Sequence, residues 1–130
     1  MAEINENPDV FRFILEEIDS VPHLEALLLL WHNREKPWPI GDVAKRLYVN
    51  PDTARQLLQD LHRRHLVATL PTSAELYQFD AGSPEKDHLI GEVDRTYRRQ
   101  LVRVSTIIHS KASSAVREFA KAFRITKERE

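Results

Sequence analysis

The triplet Asn50-Pro51-Asp52 constrains this chain more than any other three residues. Asn50 can accept hydrogen bonds from the free N–H groups at a helix start. Pro51 has no N–H to leave unpaired there, and Asp52 suits the positive end of the helix dipole. A helix over residues 51–65 must begin at this point, which forces a turn between it and whatever precedes it. Ala54, Leu57, Leu58 and Leu61 then recur at helical spacing along one face, with Asp52, Gln56, Gln59 and Arg63 on the other. Immediately upstream, Val43, Ala44 and Leu47 mark the inward face of a helix over residues 41–48, and Leu47 and Val49 bracket a tight connection.

The same code of cap, proline and acid occurs at Asn7-Pro8-Asp9 and Ser83-Pro84-Glu85, and each predicts another helix start. The first helix, residues 9–19, is expected to bury Val10, Phe11, Ile14, Leu15 and Ile18. Ser20 caps a second, residues 22–33, whose apolar run Leu27–Leu30 and Trp31 nearly encircle it and mark it as the central core helix. Pro37-Trp38-Pro39-Ile40 is expected to be extended, because a residue before proline avoids the helical region. Residues 66–70 and 76–79 read as two short strands, with a hairpin tip at 71–75 that carries Glu75 and no Arg or Lys.

Beyond Ser83, one long helix is predicted. On it Ile90, Val93, Tyr97, Leu101, Val104 and Ile108 follow at steps of three and four, a narrow stripe of coiled-coil type. Such a stripe needs a cover, either the first helix of the same chain or a twin helix in a homodimer, and the expectation is dimerisation through these six residues. Val116, Phe119, Ala120 and Phe123, with Arg117, Lys121 and Arg124 outside them, predict a last small amphipathic helix.

The run from Val43 to Val67, VAKRLYVNPDTARQLLQDLHRRHLV, resembles the winged helix-turn-helix transcriptional regulators, in a form like the MarR-type proteins, and the likeness extends over residues 22–80. The implied fold is mainly α with a small β-hairpin wing: a winged helix-turn-helix plus a long C-terminal helix. Residues 1–20 would form an N-terminal helix on the core or the dimer, 21–80 the winged domain, and 81–130 the dimerisation helices. Tyr48 stands where many such turns have glycine, and His65 where a glycine often precedes the wing strand. Either the backbone is relaxed at these two positions or the side chain is held at positive φ. Relatives of this kind often bind small aromatic effectors. Trp31, Trp38, Tyr77 and Tyr97 are aromatics that could line such a pocket, although core packing is their commoner use.

A short helix packed by its back and polar outward is what a reader of the DNA major groove requires. On that reading Asn50, Thr53, Gln56 and Gln59 approach base edges, while Lys45, Arg46, Arg55 and Arg63 hold phosphates of double-stranded DNA. Asp60 is expected to pair with Arg64 one turn on. The whole chain of 130 residues has a net charge of −1. Basic residues nonetheless outnumber acidic ones in 41–70 and 89–130, and phosphate binding depends on local charge. The alternative is a winged-helix adaptor for protein partners, since fold alone does not fix function.

Other classes fare poorly. Cysteine is absent, which removes disulfides and thiolate chemistry. His62 and His65 have a spacing that suits two metal ligands but lack a third, so no metal and no cofactor is expected. No phosphate loop or nucleophile elbow is visible, and the chain does not read as an enzyme. The run from Ala26 to Trp31 is too short to span a bilayer, so no membrane partner and a soluble cytoplasmic protein are expected.

Overall fold

The computed structural model describes residues 7–72 and 75–111. Five helices and three strands follow in the order α1 (Pro8–Glu17), α2 (Val21–His32), β1 (Trp38–Pro39), α3 (Ile40–Leu47), α4 (Pro51–Arg63), β2 (Val67–Thr69), β3 (Leu76–Phe79) and α5 (Pro84–Arg99). Residues 101–111 are again helical and are called α6 here. The small amphipathic helix expected around Val116–Phe123 lies outside the described residues.

The caps form as the sequence requires. The side-chain oxygens of Asn7 and Asn50 accept from the N–H groups of Asp9 and Thr53 at 2.9 and 2.8 Å. Ser20 and Ser83 do the same for His23 and Lys86, both at 3.2 Å. Each bond satisfies one of the orphan donors at a helix start, and each cap is followed by proline in the first turn.

The core runs continuously through the chain. α2 sits at its centre, burying Leu24, Ala26, Leu27, Leu28 and Leu30, and it packs on α3, α4, α5 and β3. α4 turns Ala54, Leu58 and Leu61 inward. In α1 the buried set is Val10, Phe13 and Ile14, with Ile18 just past the helix end. Phe13 replaces the expected Phe11 and Leu15, which sit on the flank of the Val10–Ile14–Ile18 row, and Leu15 is 48% exposed.

Two further expectations change. The wing is not a bare hairpin, because β1 pairs antiparallel with β3 (Trp38 opposite Tyr77) and the sheet order is β1-β3-β2. Pro39 takes part at the sheet edge, where a missing N–H costs no ladder bond. The helix after Ser83 is also not continuous. Gln100 leaves helical geometry at φ −129° and ψ 50°, and α6 starts anew. Arg103 lies over the Phe11 ring at 4.9 Å and Lys111 Nζ donates to the Ile18 carbonyl at 2.7 Å. α6 therefore runs beside α1 in the same direction. As a result Ile90, Val93, Val104 and Ile108 are fully buried within the chain's own core. Tyr97 is half-buried and donates its hydroxyl to Glu25, and Leu101 is 52% exposed.

Candidate nucleic-acid interface

α3, the turn 48–50, α4 and the β2–β3 hairpin make a winged helix-turn-helix. Both helices of the motif end in the same way. Tyr48 (φ 59°) and His65 (φ 63°) adopt the left-handed conformation, and the next N–H folds back five residues, Val49 to Ala44 and Leu66 to Leu61. That closure is the usual work of glycine. The two departures from the family pattern thus keep the glycine geometry with larger side chains.

α4 is pinned by its back and shows a polar front. Gln56 and Gln59 are exposed beside Arg55 and Arg63. The Asn50 amide oxygen is committed to its cap, which leaves its NH₂ as the group free to meet a partner. Thr53 is half-buried. Lys45 and Arg46 are exposed on the last turn of α3, and the Arg46 guanidinium lies 5.5 Å from the centre of the Trp38 ring.

The arginines of α4 already have carboxylate neighbours. Arg55 meets Asp52 at 3.4 Å and reaches Glu75, on the wing, at 3.6 Å. Tyr77 donates its hydroxyl to the other Glu75 oxygen at 2.7 Å. Burial, followed by that bond to Glu75, pushes the Tyr77 phenol up to about 12. Arg63 pairs with Asp60. The acidic wing tip noted in the sequence therefore touches the face of α4 through one ion pair.

Behind α4 lies a polar knot that the sequence reading found only at the Asp60–Arg64 pair. Arg64 binds Asp60 at 2.6 Å, Asp19 at 2.8 Å and the Glu16 carbonyl at 3.2 Å. His23, 2% exposed, comes within 2.7 Å of Asp60. Burial raises the Asp60 carboxyl, but the Arg64 guanidinium, His23 and Arg63 outweigh it and hold the group below the usual carboxylate range. Asp19, His23 and Asp60 converge closely enough to suggest a cation site. The guanidinium of Arg64 already supplies the positive charge there. His62 and His65 are both exposed at the end of α4.

The fold is that of the winged-helix transcriptional regulators of MarR and ArsR type. No protein-family model and no curated protein matches the sequence. Among solved structures, the chain is similar to a MarR family protein from Bacillus stearothermophilus (17% identity, 94% of this chain and 82% of that one, TM-score 0.51). It is also similar to the homodimeric winged helix-turn-helix DNA-binding domain of a possible ArsR-family regulator from Mycobacterium bovis (21% identity, 78% and 94%, TM-score 0.53). A third is a variant of MepR from Staphylococcus aureus bound to an oligodeoxyribonucleotide (12% identity, 89% and 88%, TM-score 0.54).

Proposed function

We propose that this chain is a sequence-specific, DNA-binding transcriptional regulator that acts as a homodimer in the cytoplasm and reads the major groove with α4. The observation that carries this reading is the division of α4. Ala54, Leu58 and Leu61 anchor one face, while Gln56, Gln59, Arg55 and Arg63 stand in solvent on the other. Amide side chains match the adenine edge, and arginines match phosphate or guanine. Residues 21–80 would supply the DNA-contacting unit. One of the similar structures holds an oligodeoxyribonucleotide and another is homodimeric, which supports both parts of the proposal.

The dimer would form through the flanking helices, 1–20 and 81–130. Within the expected stripe, Leu101 is the residue most open to a second copy, and Val102 (77% exposed) and Leu15 add apolar surface. Because Ile90, Val93, Val104 and Ile108 are already covered, a second copy would meet the rim of the stripe.

The test is binding of a random-sequence duplex across a salt series by fluorescence anisotropy. Affinity in the micromolar range that falls steeply with salt is expected. Arg55→Ala with Arg63→Ala should weaken it and flatten the slope of log affinity against log salt by about 2. An unchanged slope would remove α4 as the contacting helix. One observation favours a second reading, an adaptor for protein partners. A cleft of about 610 Å³ between α1 and α5 is lined by Asp9, Glu16, Glu17, Glu85 and Glu92 against Arg12 and Lys86, a net negative surface that disfavours phosphate. Absence of DNA binding at low salt would favour that reading.

A further inference from the structure

We propose that Tyr48 is itself a DNA contact, its phenol donating a hydrogen bond to a backbone phosphate of the bound duplex. The inference rests on the DNA-binding reading above and adds to it a residue outside the recognition helix. Tyr48 is 94% exposed, although Leu47 and Val49 on either side of it are half-buried against the core. A single exposed aromatic is unremarkable on a protein surface. What sets this one apart is its backbone, at φ 59° and ψ 43°.

Glycine adopts that conformation without penalty, whereas a bulky side chain there is an outlier. His65 shares the geometry, but histidine is among the residues that tolerate it better. Among the described residues the Tyr48 hydroxyl has no hydrogen-bond partner. The ring therefore contributes neither packing nor a bond to the folded chain, while it strains the turn.

The surroundings suit a phosphate. Lys45 and Arg46 are exposed in the helical turn just before Tyr48, and the start of α4 lies just after it. Free N–H groups and the positive dipole end at a helix start favour an anion. The Asn50 side chain satisfies the Thr53 N–H and its carbonyl takes that of Ala54, so with proline at 51 the Asp52 N–H is the first-turn donor left to an anion. A phenol adds directional hydrogen bonding at that edge without adding charge.

The experiment compares wild type with Tyr48→Phe and Tyr48→Gly by anisotropy on a random-sequence duplex across a salt series, alongside thermal unfolding. Tyr48→Phe should lose about tenfold in affinity, the scale of one hydrogen bond to a charged group. Its salt slope should match wild type, because no cation is removed. Tyr48→Gly should lose at least as much affinity with a melting temperature equal to or above wild type. Wild-type affinity in Tyr48→Phe overturns the proposal while leaving DNA binding by α4 intact. A wild-type protein that binds no duplex at any salt overturns the DNA reading itself.

Discussion

His23 Nε2 lies 2.7 Å from Asp60 Oδ2, joining the start of α2 to the last turn of α4. On the other side of the ring, Nδ1 accepts the Asp19 N–H at 3.0 Å. An accepting Nδ1 places the proton of the neutral imidazole on Nε2, facing Asp60. The approach is close but off the line of a straight hydrogen bond, so it acts mainly as an electrostatic contact. One carboxylate thus ties α4 to the start of α2 while also serving Arg63 and Arg64.

Asp60→Asn should therefore destabilise the fold by about 1–3 kcal/mol, the range for leaving partly buried partners unsatisfied. Urea unfolding gives the value, with a lower midpoint at an unchanged m-value as the expected result. A midpoint equal to wild type would mean that the contacts around Asp60 are not coupled to stability.

His23 also predicts how stability responds to pH. Burial drives its pKa below 6.5, with Arg64 acting in the same direction and Asp60 and Asp19 opposing. Between its folded value and 6.5 the unfolded chain binds more protons, so stability rises with pH across that window. The contribution is full above pH 6.5 and is lost as pH falls below it. Asp60, whose pKa is held below 3.8, contributes above that value and leaves at much lower pH. Denaturant midpoints measured on either side of pH 6.5 should differ more in wild type than in His23→Gln, and equal differences would count against a titrating His23.

Glu75 holds Arg55 from the wing, and that ion pair competes with phosphate. Glu75→Gln should tighten binding to random duplex DNA by about two- to fivefold, the span of a surface ion pair converted to affinity. Anisotropy at one fixed salt concentration is sufficient. Weaker binding in the variant would show that Glu75 orients Arg55 instead of competing for it.

Gly91 faces Trp31 so closely that an added Cβ would lie 3.1 Å from the indole Cζ2. The indole cannot retreat freely, because its N–H is bonded to Asp87 at 2.9 Å and Asp87 is forked by Arg34. Gly91→Leu should cost about 1–3 kcal/mol from overpacking, despite the better helix propensity of leucine. A thermal midpoint equal to wild type would show that α2 and α5 part without strain.

The fold was legible where local chemistry is decisive. Asn7, Ser20, Asn50 and Ser83 each cap the helix expected of them, since a cap depends only on residues one turn away. The inward rows of α3 and α4 followed from periodicity for the same reason. What stayed hidden depends on distant partners. Pro37-Trp38-Pro39 reads as merely extended until Tyr77 arrives opposite Trp38. The stripe from Ile90 to Ile108 keeps its spacing through Gln100, so nothing in its period reveals the break. Of the candidate site, the residue types on α4 were visible. The engagement of Arg55 by Glu75 and of Asp60 by His23 was not, because neither pair is near in sequence.

α1 is secured at both ends by parts of the chain made much later. Asn7 Nδ2 donates to Glu92 at 3.3 Å and the Ile18 carbonyl accepts from Lys111, separations of 85 and 93 positions. The helix that leaves the ribosome first among those described must therefore wait for the last before its buried row is closed. Residues 21–80 face no such delay, since α3 packs on α4 and α4 on β2 across short connections. The order of assembly should consequently invert the order of synthesis at the N-terminus, with pulse-labelled amide exchange during refolding showing α1 protected after α4.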